Sequence, residues 1–128
     1  MNLHQEGKVA LVVDDEIFAR LFAVQILLDE GFTVLEAADA AEGLEILNQN
    51  HAVDVLFTDI SMPGEMDGLG LINKAREIRP DIALLVTSGL MQPEESDVGK
   101  GVKFLPKPYT AHALMRAIRQ LQSPAFGH

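Results

Sequence analysis

The strongest limit on the fold is an alternation along the chain. Five short runs rich in apolar residues are each separated by stretches of helical character. Val9–Val13, Thr33–Ala37, Val53–Phe57, Ile82–Val86 and Val102–Leu105 read as strands. The first, third and fourth are nearly continuous apolar runs, the pattern of strands covered on both faces. Thr33–Ala37 has a mixed pattern that suits an edge. Strands that alternate with helices call for a parallel sheet with helices on both faces. No uninterrupted apolar run approaches the ~18 residues of a membrane span.

The intervening stretches carry helix signals. Ile17–Glu30 is apolar over much of its surface, with Leu21, Val24 and Leu28 on one stripe, and Gly31 follows its end. Ala40–Asn48 follows Asp39, and Glu42 completes an acidic variant of the capping box. Leu69–Arg79 places Leu71, Ile72, Ala75 and Ile78 at helical spacing and stops before Pro80. Ala111–Gln122 follows a capping Thr110, with Leu114, Ala117, Ile118 and Leu121 facing inward. Gln92–Val98 has room for only a short helix opened by Pro93.

In a parallel sheet of this kind ligands bind at the carboxyl ends of the strands. Asp14-Asp15-Glu16 follows the first strand, Thr58-Asp59 the third, Thr87-Ser88-Gly89 the fourth and Pro106-Lys107-Pro108 the fifth. Any one of these is ordinarily a helix cap or a solvated loop residue. Four of five strand ends together predict a shared rim. Asp15 and Asp59, with Asp14, would crowd like charges that raise one another's proton affinity unless a cation intervenes. Carboxylates without His or Cys favour a hard, oxygen-seeking ion, and Mg²⁺ leads. A carboxylate nucleophile, a divalent ion, the Lys107 ammonium and the Ser88 hydroxyl make a phosphoryl-transfer site on an aspartate.

Composition narrows the partners. The 128 residues are expected to form one domain, 1–128, with a core over about 8–122. With 0 Cys there is no disulfide framework, thiolate nucleophile or Cys-based zinc site. A net charge of −9 argues against direct nucleic-acid binding and against docking on an anionic membrane. Met1–Glu6 lacks the regions of a secretory signal, so the expected setting is cytoplasmic.

These motifs resemble the receiver domain of two-component response regulators. The resemblance rests on Val12-Val13-Asp14-Asp15-Glu16, on Thr58-Asp59-Ile60-Ser61-Met62-Pro63-Gly64, on Met66-Asp67-Gly68, on Val86-Thr87-Ser88-Gly89 and on Phe104-Leu105-Pro106-Lys107-Pro108-Tyr109. It runs from about Val9 to Leu121. It implies a three-layer α/β/α, flavodoxin-like (βα)₅ fold with strand order 2-1-3-4-5. It further implies that Asp59 accepts phosphate from a histidine kinase or histidine phosphotransfer protein. Mg²⁺ would be bound by Asp15, Asp14, Asp59 and the backbone carbonyl of Ser61. Lys107 would pair with the phosphoryl group, Ser88 would be the switch hydroxyl, and Phe104 the aromatic that turns inward with it. A cis Lys107–Pro108 bond is typical of the family. The chain would be a signalling switch, not an enzyme, although it assists its own phosphorylation and dephosphorylation. Its output surface would be the fourth helix, fifth strand and fifth helix, toward a protein target the sequence does not name.

One region departs from the family pattern. Lys107 stands only 19 positions after Ser88, so the fourth helix is expected to be shortened. Thr87 is adjacent to Ser88, but strand alternation should aim it elsewhere. His4, His51, His112 and His128 form no metal spacing, and Gly64, Gly68 and Gly70 read as turn residues because no Gly-Lys-Ser/Thr follows. Met62, Met66 and Met91 read as gap-filling apolar groups. Two other readings are weighed. A receiver-like interaction module could work without phosphorylation. A small-molecule phosphatase would normally place its nucleophile in an Asp-x-Asp context, whereas Asp59 precedes Ile60-Ser61. Whether the chain is a stand-alone receiver or part of a hybrid kinase stays open.

Overall fold

The structure is a computed structural model that describes residues 5–49, 52–89 and 101–122. Five strands form one parallel sheet in the order β2-β1-β3-β4-β5. In chain order the elements are β1 (Val9–Val13), α1 (Ile17–Asp29), β2 (Thr33–Ala37), α2 (Ala40–Gln49), β3 (Val53–Asp59), α3 (Gly68–Ile78), β4 (Ala83–Ser88), β5 (Val102–Pro106) and α4 (Ala111–Gln122). The expected short helix over 92–98 lies outside the described residues, as do Met91, His4, His51 and His128. Among the described residues no helix is long and apolar enough to cross a membrane.

Alternation along each strand divides the core in two. Ala10, Val12, Val55, Phe57, Leu85 and Leu105 face α1 and α4. Leu11, Val13, Leu56, Leu84 and Val86 face α2 and α3. Both faces are covered, which is why β1, β3 and β4 read as unbroken apolar runs. β2 lies at an edge, as its mixed pattern predicts.

The caps explain where the helices begin. Asp39 accepts the Glu42 amide at 2.8 Å, while the Glu42 carboxylate takes the Ala38 amide at 3.0 Å, one residue earlier than a standard capping box. Thr110 accepts the Ala113 amide at 3.0 Å, and Asp67 accepts the Gly70 amide at 2.9 Å. Gly31, at φ 102°, turns the chain out of α1 in the left-handed region.

One helix departs from its sequence reading. Val24 is buried in α1, but Leu21 and Leu28 are exposed, and the buried stripe is Ala23, Val24, Ile26 and Leu27. Apolar residues surround this helix almost completely, so periodicity alone could not choose its inner face. β3 and β4 also run further than expected, to Asp59 and Ser88, which carries those residues to the rim on strand backbone.

Candidate functional site

The carboxyl ends of β1, β3 and β5 converge. The Lys107 ammonium donates to the Asp59 carboxylate at 3.0 Å and to the Asp14 carboxylate at 3.3 Å. Asp14, Asp15 and Asp59 each place a carboxylate oxygen within 4.8 Å of the other two. The Asp14 and Asp59 side chains are 7% and 12% exposed, whereas Asp15 is open to solvent. The pocket therefore has two sheltered acids, one accessible acid and one ammonium.

Backbone donors orient the carboxylates. Asp14 accepts the Glu16 amide at 2.9 Å, and Asp59 accepts the Ser61 amide at 3.2 Å. Glu16, third in the acidic run, is spent on the helix: its carboxylate accepts the Phe18 and Ala19 amides and caps α1. Burial raises the proton affinity of Asp14, and the nearby Asp59 charge adds to it. The Glu16 amide and Lys107 oppose both. Burial works against the Lys107 charge, but the hydrogen bond to Asp59 and both carboxylates outweigh it, so its pKa lies above the ordinary lysine value. Lys107 is a fixed cation here.

The fourth and fifth strand ends lock together. The Lys107 amide donates to the Ser88 carbonyl at 3.0 Å, and the Lys107–Pro108 bond is cis. Ser88 is buried at the end of β4. Thr87 donates its hydroxyl to the Leu105 carbonyl at 2.6 Å, which commits it to the β4–β5 pair. Phe104 sits opposite Val86 in register, partly buried against the α2–α3 side of the core. Ser61 is exposed two residues past the end of β3.

The loop after β3 is held close by Gly68. Its amide donates to the Ile60 carbonyl at 2.9 Å, and a Cβ at this position would overlap the Asp59 carbonyl. Gly68 and Gly70 are thus not turn residues as expected: they are the first and third residues of α3, whose start is set by the Asp67 cap and by this close approach. Gly64, at φ 109°, makes the turn itself.

Two residues around the pocket were not singled out from the sequence. Tyr109 packs its ring against Phe22 of α1 at 5.5 Å and Phe57 of β3 at 5.7 Å. Arg20 of α1 donates to the Asp14 backbone carbonyl at 2.8 Å and to the Glu36 carboxylate of β2 at 3.1 Å. The available signal for Arg20 was a lone cation in an apolar helix, one turn beyond the acidic run.

The arrangement suits a hard divalent cation. All candidate side-chain ligands are carboxylates, and among the described residues no His or Cys joins the cluster. Lys107 leaves a positive donor beside Asp59 for further oxygens.

Comparison with known proteins points the same way. The profile described as the response regulator receiver domain matches residues 10–119. Sensor kinase CckA of Brucella abortus is 34% identical over 119 residues, which cover 87% of this chain and 12% of that kinase. This chain thus spans a small part of that relative. A response regulator receiver protein from Sinorhizobium medicae WSM419 superimposes with a TM-score of 0.85 at 32% identity, covering 91% of this chain and 94% of that one. A CheX–CheY–BeF₃–Mg²⁺ complex from Borrelia burgdorferi gives 0.80 at 25% identity, over 92% and 91% of the respective chains.

Proposed function

The chain belongs to the response regulator receiver family, and on that premise we propose that it is the phosphoacceptor of a two-component phosphorelay. Asp59 takes a phosphoryl group from a phospho-histidine on a histidine kinase or phosphotransfer protein. The observation that carries this reading is the Lys107 ammonium held between Asp59 and Asp14, at 3.0 and 3.3 Å, with Asp15 close by.

The reaction needs little from the protein beyond position and charge. An Asp59 carboxylate oxygen attacks phosphorus, the new O–P bond forms, and the P–N bond to the donor imidazole breaks. The imidazole leaves with the bonding electron pair. Asp14, Asp15, Asp59 and the Ser61 carbonyl are the groups that would hold Mg²⁺, which when bound neutralises charge on the phosphoryl oxygens. Lys107 exchanges part of its contact with Asp59 for the incoming oxygens. The hydrogen bond from its backbone N–H to the Ser88 carbonyl carries that shift to the end of β4.

Phosphorylation then acts as a switch. The Ser88 hydroxyl moves to the phosphoryl group and Phe104 follows it inward, changing the surface around β5 and the last helix. Phosphate shifts the population by its differential affinity for the two conformers. We place the protein in the cytoplasm as a signalling switch that assists its own phosphorylation and dephosphorylation, with a protein as its target.

The test is labelling with a small acyl phosphate and Mg²⁺, read by intact mass. One base-labile, acid-stable phosphate is expected, absent in Asp59→Asn and without Mg²⁺. Equal labelling of that variant would overturn the assignment. A protein partner that binds identically whether or not Asp59 can be phosphorylated would favour a phosphate-independent module instead.

A further inference from the structure

We propose that Arg20 is a positioning residue for the metal pocket: it fixes the Asp14–Asp15 peptide and so aims the Asp15 carboxylate. This inference rests on the phosphoacceptor reading above.

Every polar group of Asp14 has a partner. Its amide donates to the Ala37 carbonyl at 3.1 Å. Its side-chain oxygens accept from Glu16 and Lys107. Its carbonyl accepts from Arg20 at 2.8 Å. That carbonyl belongs to the peptide that enters Asp15, so its direction sets the plane from which the Asp15 side chain departs. Asp15, exposed at the rim, has no burial to hold it in place. The restraint on its backbone comes from the neighbouring peptide.

Arg20 is itself anchored. Its side chain is 16% exposed, and its Nε donates to Glu36 at 3.1 Å. Glu36 lies on β2 opposite Val12 of β1. The guanidinium thus spans α1, the end of β1 and β2 through two donors in a fixed fork. An ammonium on a flexible stem cannot reproduce both bonds in one geometry.

The sign of the effect separates positioning from simple electrostatics. A cation near three acids weakens their hold on a second cation, so deleting its charge should tighten Mg²⁺ binding. Positioning demands the reverse. Loss of an outer partner that orients a metal ligand costs roughly 10–100-fold in metal affinity. The expected result for Arg20→Gln is Mg²⁺ affinity weakened about tenfold, near the lower end of that range because one of several ligands is affected. Arg20→Lys keeps the charge and loses the fork, so it should weaken Mg²⁺ binding in the same direction.

Mg²⁺ alone is titrated, followed by the fluorescence of Tyr109, the single tyrosine, whose ring lines a small hollow with Asp14 and Asp59. Calorimetry provides a second readout. Thermal melts establish that each variant is folded, and Arg20→Lys carries the test if Arg20→Gln does not fold. Unchanged or tighter binding in the folded variants overturns the positioning role while leaving the metal pocket intact. A wild-type chain that takes up no Mg²⁺ overturns the pocket reading and this inference together.

Discussion

At the scale of single residues, Tyr109 reports on the pocket it helps enclose. Burial raises its pKa above the ordinary 10.0, and the Asp14 and Asp59 carboxylates push in the same direction. The folded state therefore keeps its phenolic proton at pH values where the unfolded chain has lost it. Its contribution to stability is complete below about pH 10 and declines as pH rises through the phenol range. Absorbance titration should show no phenolate in the folded protein at pH 10 to 11, and Tyr109→Phe should flatten the alkaline loss of stability. A phenol that titrates normally in the native protein would contradict this. Gly68 makes a second prediction. A methyl group there meets the Asp59 carbonyl, and overpacking of this kind costs roughly 1–3 kcal/mol. Urea unfolding of Gly68→Ala should show that loss, and acyl-phosphate labelling should slow because Asp59 has moved. Asp14, Asp15, Asp59 and Lys107 were legible in the sequence because each stands at or just past the end of an apolar run that reads as a strand. Glu16 was less so, since an acid just before a helix reads equally as ligand and as cap.

Among the elements, α1 is the exception to the pattern of buried apolar faces. Phe18 is 77% exposed, and Ile17, Leu21, Phe22 and Leu28 are each about half exposed. These are the exposed large hydrophobics among the described residues, and all lie on one helix that begins just after Asp15. The helix borders an open hollow lined by Ala19, Phe22, Gly89, Lys107, Pro108 and Tyr109, so apolar surface continues to the edge of the pocket. A donor protein that brings its phospho-histidine to Asp59 must settle on this rim, and an exposed aromatic beside it is the kind of group that anchors an interface. Phe18→Ala should therefore slow transfer from a phosphorylated histidine protein at least about tenfold more than it slows labelling by a small acyl phosphate. Equal effects on both donors would remove α1 from the docking surface. The same property made α1 the helix whose orientation was hardest to read. An exposed apolar side chain and a core one have the same apolar chemistry, so composition does not tell them apart. For α3 and α4 the polar faces resolved that ambiguity, and Leu71, Ile72, Leu114 and Ile118 are buried as expected.

Across the whole molecule, the two ends of the sheet are built for opposite purposes. At the amino ends of the strands Arg79 donates to the Val53 carbonyl at 2.9 Å and pairs with Asp54 and Asp81 at 3.3 and 3.2 Å. Asp54 in turn accepts the Val9 amide at 2.8 Å, so that end is tied by mutually satisfied charges. At the carboxyl ends two acids share one ammonium and a third carboxylate crowds beside them, in a chain whose net charge is −9. Folding creates this crowding, because Asp15 and Asp59 are far apart in sequence. An ion that binds the assembled pocket and not the unfolded chain must stabilise the fold, by about 2.7 kcal/mol at a concentration 100 times its Kd. For a domain of this size that corresponds to a rise of roughly 10 °C in Tm. Asp15→Asn is the informative variant, since Asp15 is exposed and its removal disturbs little packing. The substitution also relieves repulsion, so the metal-free variant should melt at or above the wild type. Mg²⁺ should then raise Tm strongly in the wild type and only slightly in Asp15→Asn, with NaCl at matched ionic strength as the control for screening. A Mg²⁺-dependent rise of the same size in both proteins would show that the ion binds elsewhere.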